Sequence, residues 1–135
     1  MIFLIYFLTL NTILNLQSFN DKRILVIVAQ EKTENVKNQI QRFKAQEQKV
    51  ENRKLAVFTK INGEFMPIMN TDKSSLEFVK KHARKFEEKS QIQNYLIGLD
   101  QGIKKIYNGL VEPSTIFNLI DSMPMRRAEM RRKGE

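Results

Sequence analysis

"RILVIVAQ" (Arg23–Gln30) is the stretch on which the fold turns. One cation is followed by six consecutive apolar residues, Ile24 to Ala29, rich in β-branched types. A strand with one wet face alternates apolar and polar residues, so an unbroken run suits a strand covered on both faces. It is read as a central strand, and the rest of the chain must supply its covers.

Toward the C-terminus, apolar residues recur at Val36, Ile40, Phe43 and Val50, the spacing of one helix face between Thr33 and Arg53. Thr33 is placed as N-cap and Glu34 complements the first-turn dipole, while the Lys, Gln, Asn and Glu positions make the other face wet. "KLAVFTKI" reads as a second strand, and Asn62-Gly63 is a turn signal that folds "EFMPIM" back as a short edge strand, where Pro67 is tolerated. Ser74-Ser75-Leu76-Glu77 has the form of a capping box opening a helix with the stripe Leu76, Val79, Ala83 and Phe86. "NYLIGLD" and "IKKIYNG" read as two strands joined at hairpin length across Asp100-Gln101-Gly102. Pro113 then suits the first turn of a helix carrying Ile116, Phe117, Ile120 and Met123, which Pro124 should end or kink near Ser122 and follow with a second turn. Met123 and Met125 bracket that bend, and at least one of them is expected to pack under the sheet edge.

The expected order is βαβαββα. Strands joined through helices are expected to run parallel and the last pair antiparallel. The fold class is therefore α/β: a mixed four-stranded sheet with helices on both faces, the layout of a minimal thioredoxin-like fold.

Toward the N-terminus the chain changes character. The first eighteen residues, "MIFLIYFLTLNTILNLQS", contain no Asp, Glu, Lys or Arg, so the formal charge of +8 is carried entirely beyond Ser18. The apolar run from Ile2 to Leu8 and its weaker continuation fall short of the roughly 20 residues of a membrane span, and Ser18 is a small residue at which cleavage can follow. Residues 1–18 are read as a signal peptide and 19–135 as a single domain with a basic C-terminal helix, in a secreted or periplasmic protein. No cation precedes the run, and Lys22 and Arg23 follow it closely, so an uncleaved anchor or a buried first helix is the alternative. Only the uncleaved form would bring a membrane into contact.

With 135 residues, the chain is long enough for one apolar core. It has no cysteine, hence no disulfide framework and no thiol chemistry.

Three stretches, "RILVIVAQ", "YLIGLDQGIKKIYNG" and above all "LIDSMPMRRAEMRR", make the chain resemble the thioredoxin- and peroxiredoxin-like domain of unknown function 4174, over roughly residues 19 to 133. That family occurs in bacterial exported proteins and in animal matrix proteins that contain sushi repeats. The resemblance implies a fold and an extracytoplasmic setting. It implies no activity that can be carried onto residues.

Thioredoxin-type catalysis needs a thiolate where the first strand meets the first helix; "AQEKTEN" offers amide, carboxylate and hydroxyl groups there. The single histidine, His82, lies among Lys80, Lys81, Arg84 and Lys85 without a carboxylate partner in sequence reach. Neither Cys/His clusters nor a calcium-type carboxylate loop is present, the five glycines are scattered, and no metal or cofactor is expected.

What remains is charge. The candidate partner-binding residues are Arg126, Arg127, Arg131 and Arg132 at the C-terminus, with Lys81 and Lys85 on the helix near His82. Arg127 and Arg131, four apart, form a fork for phosphate, sulfate or carboxylate groups if the chain stays helical after Pro124. The simpler reading is a basic helix end that complements its dipole. Nucleic acid fits poorly, because no aromatic residues interleave with the cations. The expected function is thus an exported, non-catalytic interaction module contacting a protein or an acidic envelope or matrix polymer. The rival is an enzyme with an unfamiliar site around Thr33, His82 and Asp100.

Overall fold

A computed structural model describes residues 19–134. The 1–18 segment read as a signal peptide lies outside them. Arg23–Ala29 forms β1, every residue of it buried. Helices α1 (Glu34–Lys44) and α2 (Glu47–Asn52) lead to β2 (Leu55–Ile61), and a hairpin returns as β3 (Glu64–Met69). Helix α3 (Lys73–Lys81) and a 3-10 turn at Ala83–Lys85 precede β4 (Gln93–Ile97) and β5 (Ile103–Asn108); α4 (Pro113–Asp121) and α5 (Pro124–Lys133) close the described chain.

The result is a mixed α/β structure whose sheet has five strands, ordered β3-β2-β1-β4-β5, where four were expected. The fifth is "EFMPIM". Asn62 and Gly63 take φ values of 51° and 78°, the left-handed pair that a two-residue hairpin requires, so β3 closes onto β2 with Pro67 on the open edge.

This hairpin also corrects the expected strand directions. β1 and β2 are parallel, as expected for strands linked through helices, but β4 runs antiparallel to β1. The reason is that β3 carries the chain back to the end of the sheet where β1 begins. There Lys22 meets Asp72, the N-cap of α3, at 3.5 Å. Helix α3 then travels to the opposite end, where Lys60 donates to the carbonyls of Ala83 and Phe86 at 3.1 and 2.8 Å. β4 can only return antiparallel.

Side chains of β1 feed two cores. Leu25, Ile27 and Ala29 pack with Val36 and Phe43 of α1, Val50 of α2, and Ile116, Phe117 and Ile120 of α4. Ile24, Val26 and Val28 pack on the other face with Phe78 and Val79 of α3, Phe86 and Tyr95. Helices therefore cover both faces, and β1 has no wet side.

Three local expectations are corrected. The single helix over Thr33 to Arg53 breaks at Ala45 and Gln46, because Gln46 leaves helical geometry at φ −119°, ψ 33°. The capping box is Asp72 with Ser75 rather than Ser74 with Glu77: Ser75 N–H donates to Asp72 Oδ1 at 2.8 Å and Asp72 N–H to Ser75 Oγ at 3.0 Å. Gln39, assigned to the wet face, is fully buried. Its amide acts as a peptide unit, accepting from Val111 N–H and donating to Val111 C=O, both at 2.8 Å.

Phe43 is fully buried and meets the Phe117 ring edge to face at 6.2 Å. Phe43→Ala should lower the unfolding free energy by about 3–5 kcal/mol in urea titration, the scale of an aromatic cavity in a core; a loss below about 1 kcal/mol would mean that α1 is not locked onto β1 there.

Candidate functional site

The Pro124 break falls where the sequence puts it. Helix α4 ends at Asp121 with Ser122 as its C-cap, and Met123 is the N-cap of α5 with Pro124 at its first position, where a missing N–H is harmless. Met123 packs against the first core while Met125 stays 46% exposed. One methionine thus fixes the bend, and α5 continues helical to Lys133.

Burial divides α5 into two faces. Arg126 and Glu129 are buried at 3% and 5% exposure, whereas Arg127, Arg131, Arg132 and Lys133 are exposed. Of the candidate contacts on α5, Arg126 therefore packs against the protein, and the other three arginines face outward.

Its position is explained by the chain around it. Arg23, the cation that opens β1, has zero exposure; its two terminal nitrogens reach Glu129 Oε1 at 3.3 Å and Oε2 at 3.4 Å, and Nη1 donates to Arg53 C=O at 2.9 Å. Arg126 lies 3.5 Å from Glu129, donates from Nε to Asp121 Oδ1 at 3.1 Å, and donates from Nη1 to Asn52 C=O at 3.1 Å. Arg53 completes the set, donating to both oxygens of Asp121 at 3.1 and 2.8 Å while its guanidinium sits 4.6 Å over the Phe117 ring. Three guanidinium groups thus face two carboxylates. Among the described residues the cluster sums to one net positive charge, at the end of the sheet where β1 begins.

Burial raises the pKa of Asp121, but hydrogen bonds from Arg53 and Arg126, reinforced by their charges, outweigh it and hold the carboxyl below its ordinary value. Sequence reasoning missed this cluster, since Glu129 stands in a strongly basic stretch and nothing in its spacing marks it as facing inward. The available signal was Arg23 itself: a charge abutting an unbroken buried run needs a partner.

The exposed arginines are different. Among the described residues no carboxylate forms an ion pair with Arg127, Arg131 or Arg132. Arg127 and Arg131 share a face four residues apart, and the only acidic residue of α5, Glu129, is turned inward. Lys81 and Lys85 are also exposed, with Lys80, Arg84 and Lys89, but they lie near the end of α3 beside Lys60, toward the opposite end of the sheet. The two basic surfaces do not merge.

The rival constellation is not assembled. Thr33 caps α1 beyond the end of β1, accepting from Val36 N–H. Asp100 sits in the β4–β5 turn at the opposite end, accepting from Gly102 N–H at 3.0 Å and paired with Lys104. His82 belongs to the α3 face, its Nδ1 2.9 Å from Phe78 C=O and its ring 4.3 Å from the Phe78 ring.

The β1–α1 loop does line a cavity. Ala29, Gln30, Glu31, Thr33 and Asn35 meet Ser90, Gln91 and Ile92 around about 340 Å³. Its polar groups are amide, hydroxyl and one carboxylate. Among the described residues no group of three or more His, Cys, Asp or Glu side chains is arranged to hold a metal.

A family model described as "Domain of unknown function (DUF4174)" matches residues 15–129. The chain belongs to this family. No curated protein and no solved structure matches it. The DUF4174 match ends at Glu129, the residue that pairs with Arg23, and so takes in the whole buried cluster.

Because Asp121 is held below its ordinary pKa, its pairing stabilises the folded state above that range and is lost as pH falls through the folded-state value. Asp121→Asn should therefore cost about 1.5–3 kcal/mol at neutral pH. Below about pH 4 its thermal stability should fall less steeply than that of the unaltered chain. Parallel declines across that window would show that Asp121 is not held by its arginines.

Proposed function

We propose that the protein is an exported, non-catalytic interaction module with a thioredoxin-like domain, contacting another protein or an acidic envelope or matrix polymer through the outer face of α5. One observation carries the reading: the helix turns its acid and one arginine inward and leaves Arg127, Arg131, Arg132 and Lys133 on the outside, with no ion pair among the described residues. Four cations over barely two turns raise the local potential and favour anionic partners, most strongly at low salt. The forked Arg127 and Arg131 pair suits carboxylate or sulfate groups.

Strand order supports the thioredoxin-like part. Without β3, the sheet reads β2-β1-β4-β5, with β1 and β2 parallel and the other two pairs antiparallel, and helices cover both faces. The non-catalytic part is supported by the loop after β1, which carries no sulfur nucleophile. Export is supported by the charge-free apolar residues 1–18, and a secreted or periplasmic address follows from that reading. Among the described residues no helix is long and apolar enough to cross a membrane.

The test compares Arg127→Ala/Arg131→Ala/Arg132→Ala with Lys80→Ala/Lys81→Ala/Lys85→Ala for binding to an immobilised sulfated polysaccharide across a salt series. The first variant should bind at least tenfold more weakly, with a flatter salt dependence, and keep its melting temperature, because the three side chains are exposed and substitutions at such surface positions change stability little. Equal losses in both variants, or none in the first, would remove α5 as the contact surface.

A further inference from the structure

A second site lies under the start of α5. A cavity of about 210 Å³ is lined by Arg23, Gly98, Leu99, Asp100, Lys104, Met123, Pro124 and Met125. Its position joins the β4–β5 turn to the α4–α5 bend. It is smaller than the roughly 300–1,000 Å³ typical of sites for drug-sized ligands. Leu99 and Pro124 give it apolar walls, to which Met123 and Met125 add unbranched side chains.

Arg23 is the reason to regard it as a site. Its terminal nitrogens are engaged by Glu129 and Arg53 C=O, but its Nε is buried and has no partner among the described residues. An unsatisfied buried donor is uncommon, and on a charged group it is costly. Among the described residues, the cluster behind it sets three guanidinium groups, Arg23, Arg53 and Arg126, against two carboxylates, Asp121 and Glu129, a net charge of one. Lys104 and Asp100 at the rim pair with each other.

We infer that this cavity binds a small monocarboxylate with a short apolar tail, its carboxylate accepting from Arg23 Nε–H and its tail lying against Leu99, Met123, Pro124 and Met125. One donor and one net charge match a monoanion; a phosphate dianion would bring more charge and more acceptors than the cavity answers. The charge disfavours a cation, and a purely apolar ligand would leave Nε–H unsatisfied. Movement of the half-exposed Met125 admits the head group, because Arg23 itself is fully covered. The site is separate from the outer arginines of α5 and does not depend on their role.

The experiment follows the Arg23 Nε–H signal of the full chain by proton–nitrogen NMR, assigned through bonds from its backbone, during titration with hexanoate, hexanol and acetate. Hexanoate should move that signal saturably and bind at least tenfold more tightly than hexanol or acetate. Met125→Trp, which enlarges a half-exposed side chain of the lining, should weaken hexanoate at least fivefold without lowering the melting temperature. An unmoved Arg23 signal, equal affinity for hexanol, or hexanoate shifts confined to Arg127, Arg131 and Arg132 would overturn the inference, as would unchanged affinity in Met125→Trp.

Discussion

A guanidinium with zero exposure must be neutralised where it stands. Arg23 opens the one strand that both cores enclose, and its counter-charge, Glu129, comes from 106 residues further along the chain. Leaving an ion buried and unpaired is far more costly than any surface contact. The first residue of the central strand and the last helix of the described chain are thereby held together, and Arg53, Asp121 and Arg126 extend the tie to the entrance of β2 and the end of α4. The bend at Pro124 makes this geometry possible, since it aims α5 back at the start of β1.

That tie gives α5 two unlike faces. The inner face is structural, and without it the helix would present five cations and an acid as one mixed surface. With it, the acid is withdrawn and four cations face outward on a scaffold fixed at the sheet end. Recognition by rigidly held charges loses less conformational entropy on binding than recognition by a loose tail. The same anchoring builds the small cavity over Arg23, so the tie bears on both proposed contacts while their chemistry stays distinct: multiple exposed cations in one, a single buried donor among apolar walls in the other.

Much of the fold was legible because it rests on local rules. The unbroken run at Ile24 to Ala29, the Asn62-Gly63 turn, the Thr33 cap and the Pro124 break each name their own structure, and each is found where those residues stand. What escaped depends on partners distant in sequence. "EFMPIM" was visible as an edge strand, but its effect on the direction of β4 follows from where α3 must start. Gln39 is polar, and only the unpaired peptide at Val111 explains its burial. At the site, charge spacing identified a basic helix without revealing which side packs, because Arg126, Arg127, Glu129 and Arg131 are all charged and give no apolar stripe. Exposure separates Arg126 from the other three arginines proposed as contacts, and pairing with Asp121 and Glu129 gives the cause.

The central claim is that Arg23 and Glu129 act as one unit. A double-mutant cycle measured by urea unfolding, using Arg23→Met, Glu129→Leu and the combination, tests it most directly. Each single change should cost about 3–5 kcal/mol by stranding a buried charge, and the double change should cost clearly less than their sum because it strands neither. Strict additivity of the two losses would contradict the account, for it would mean that the helix and the strand are held by something other than this pair.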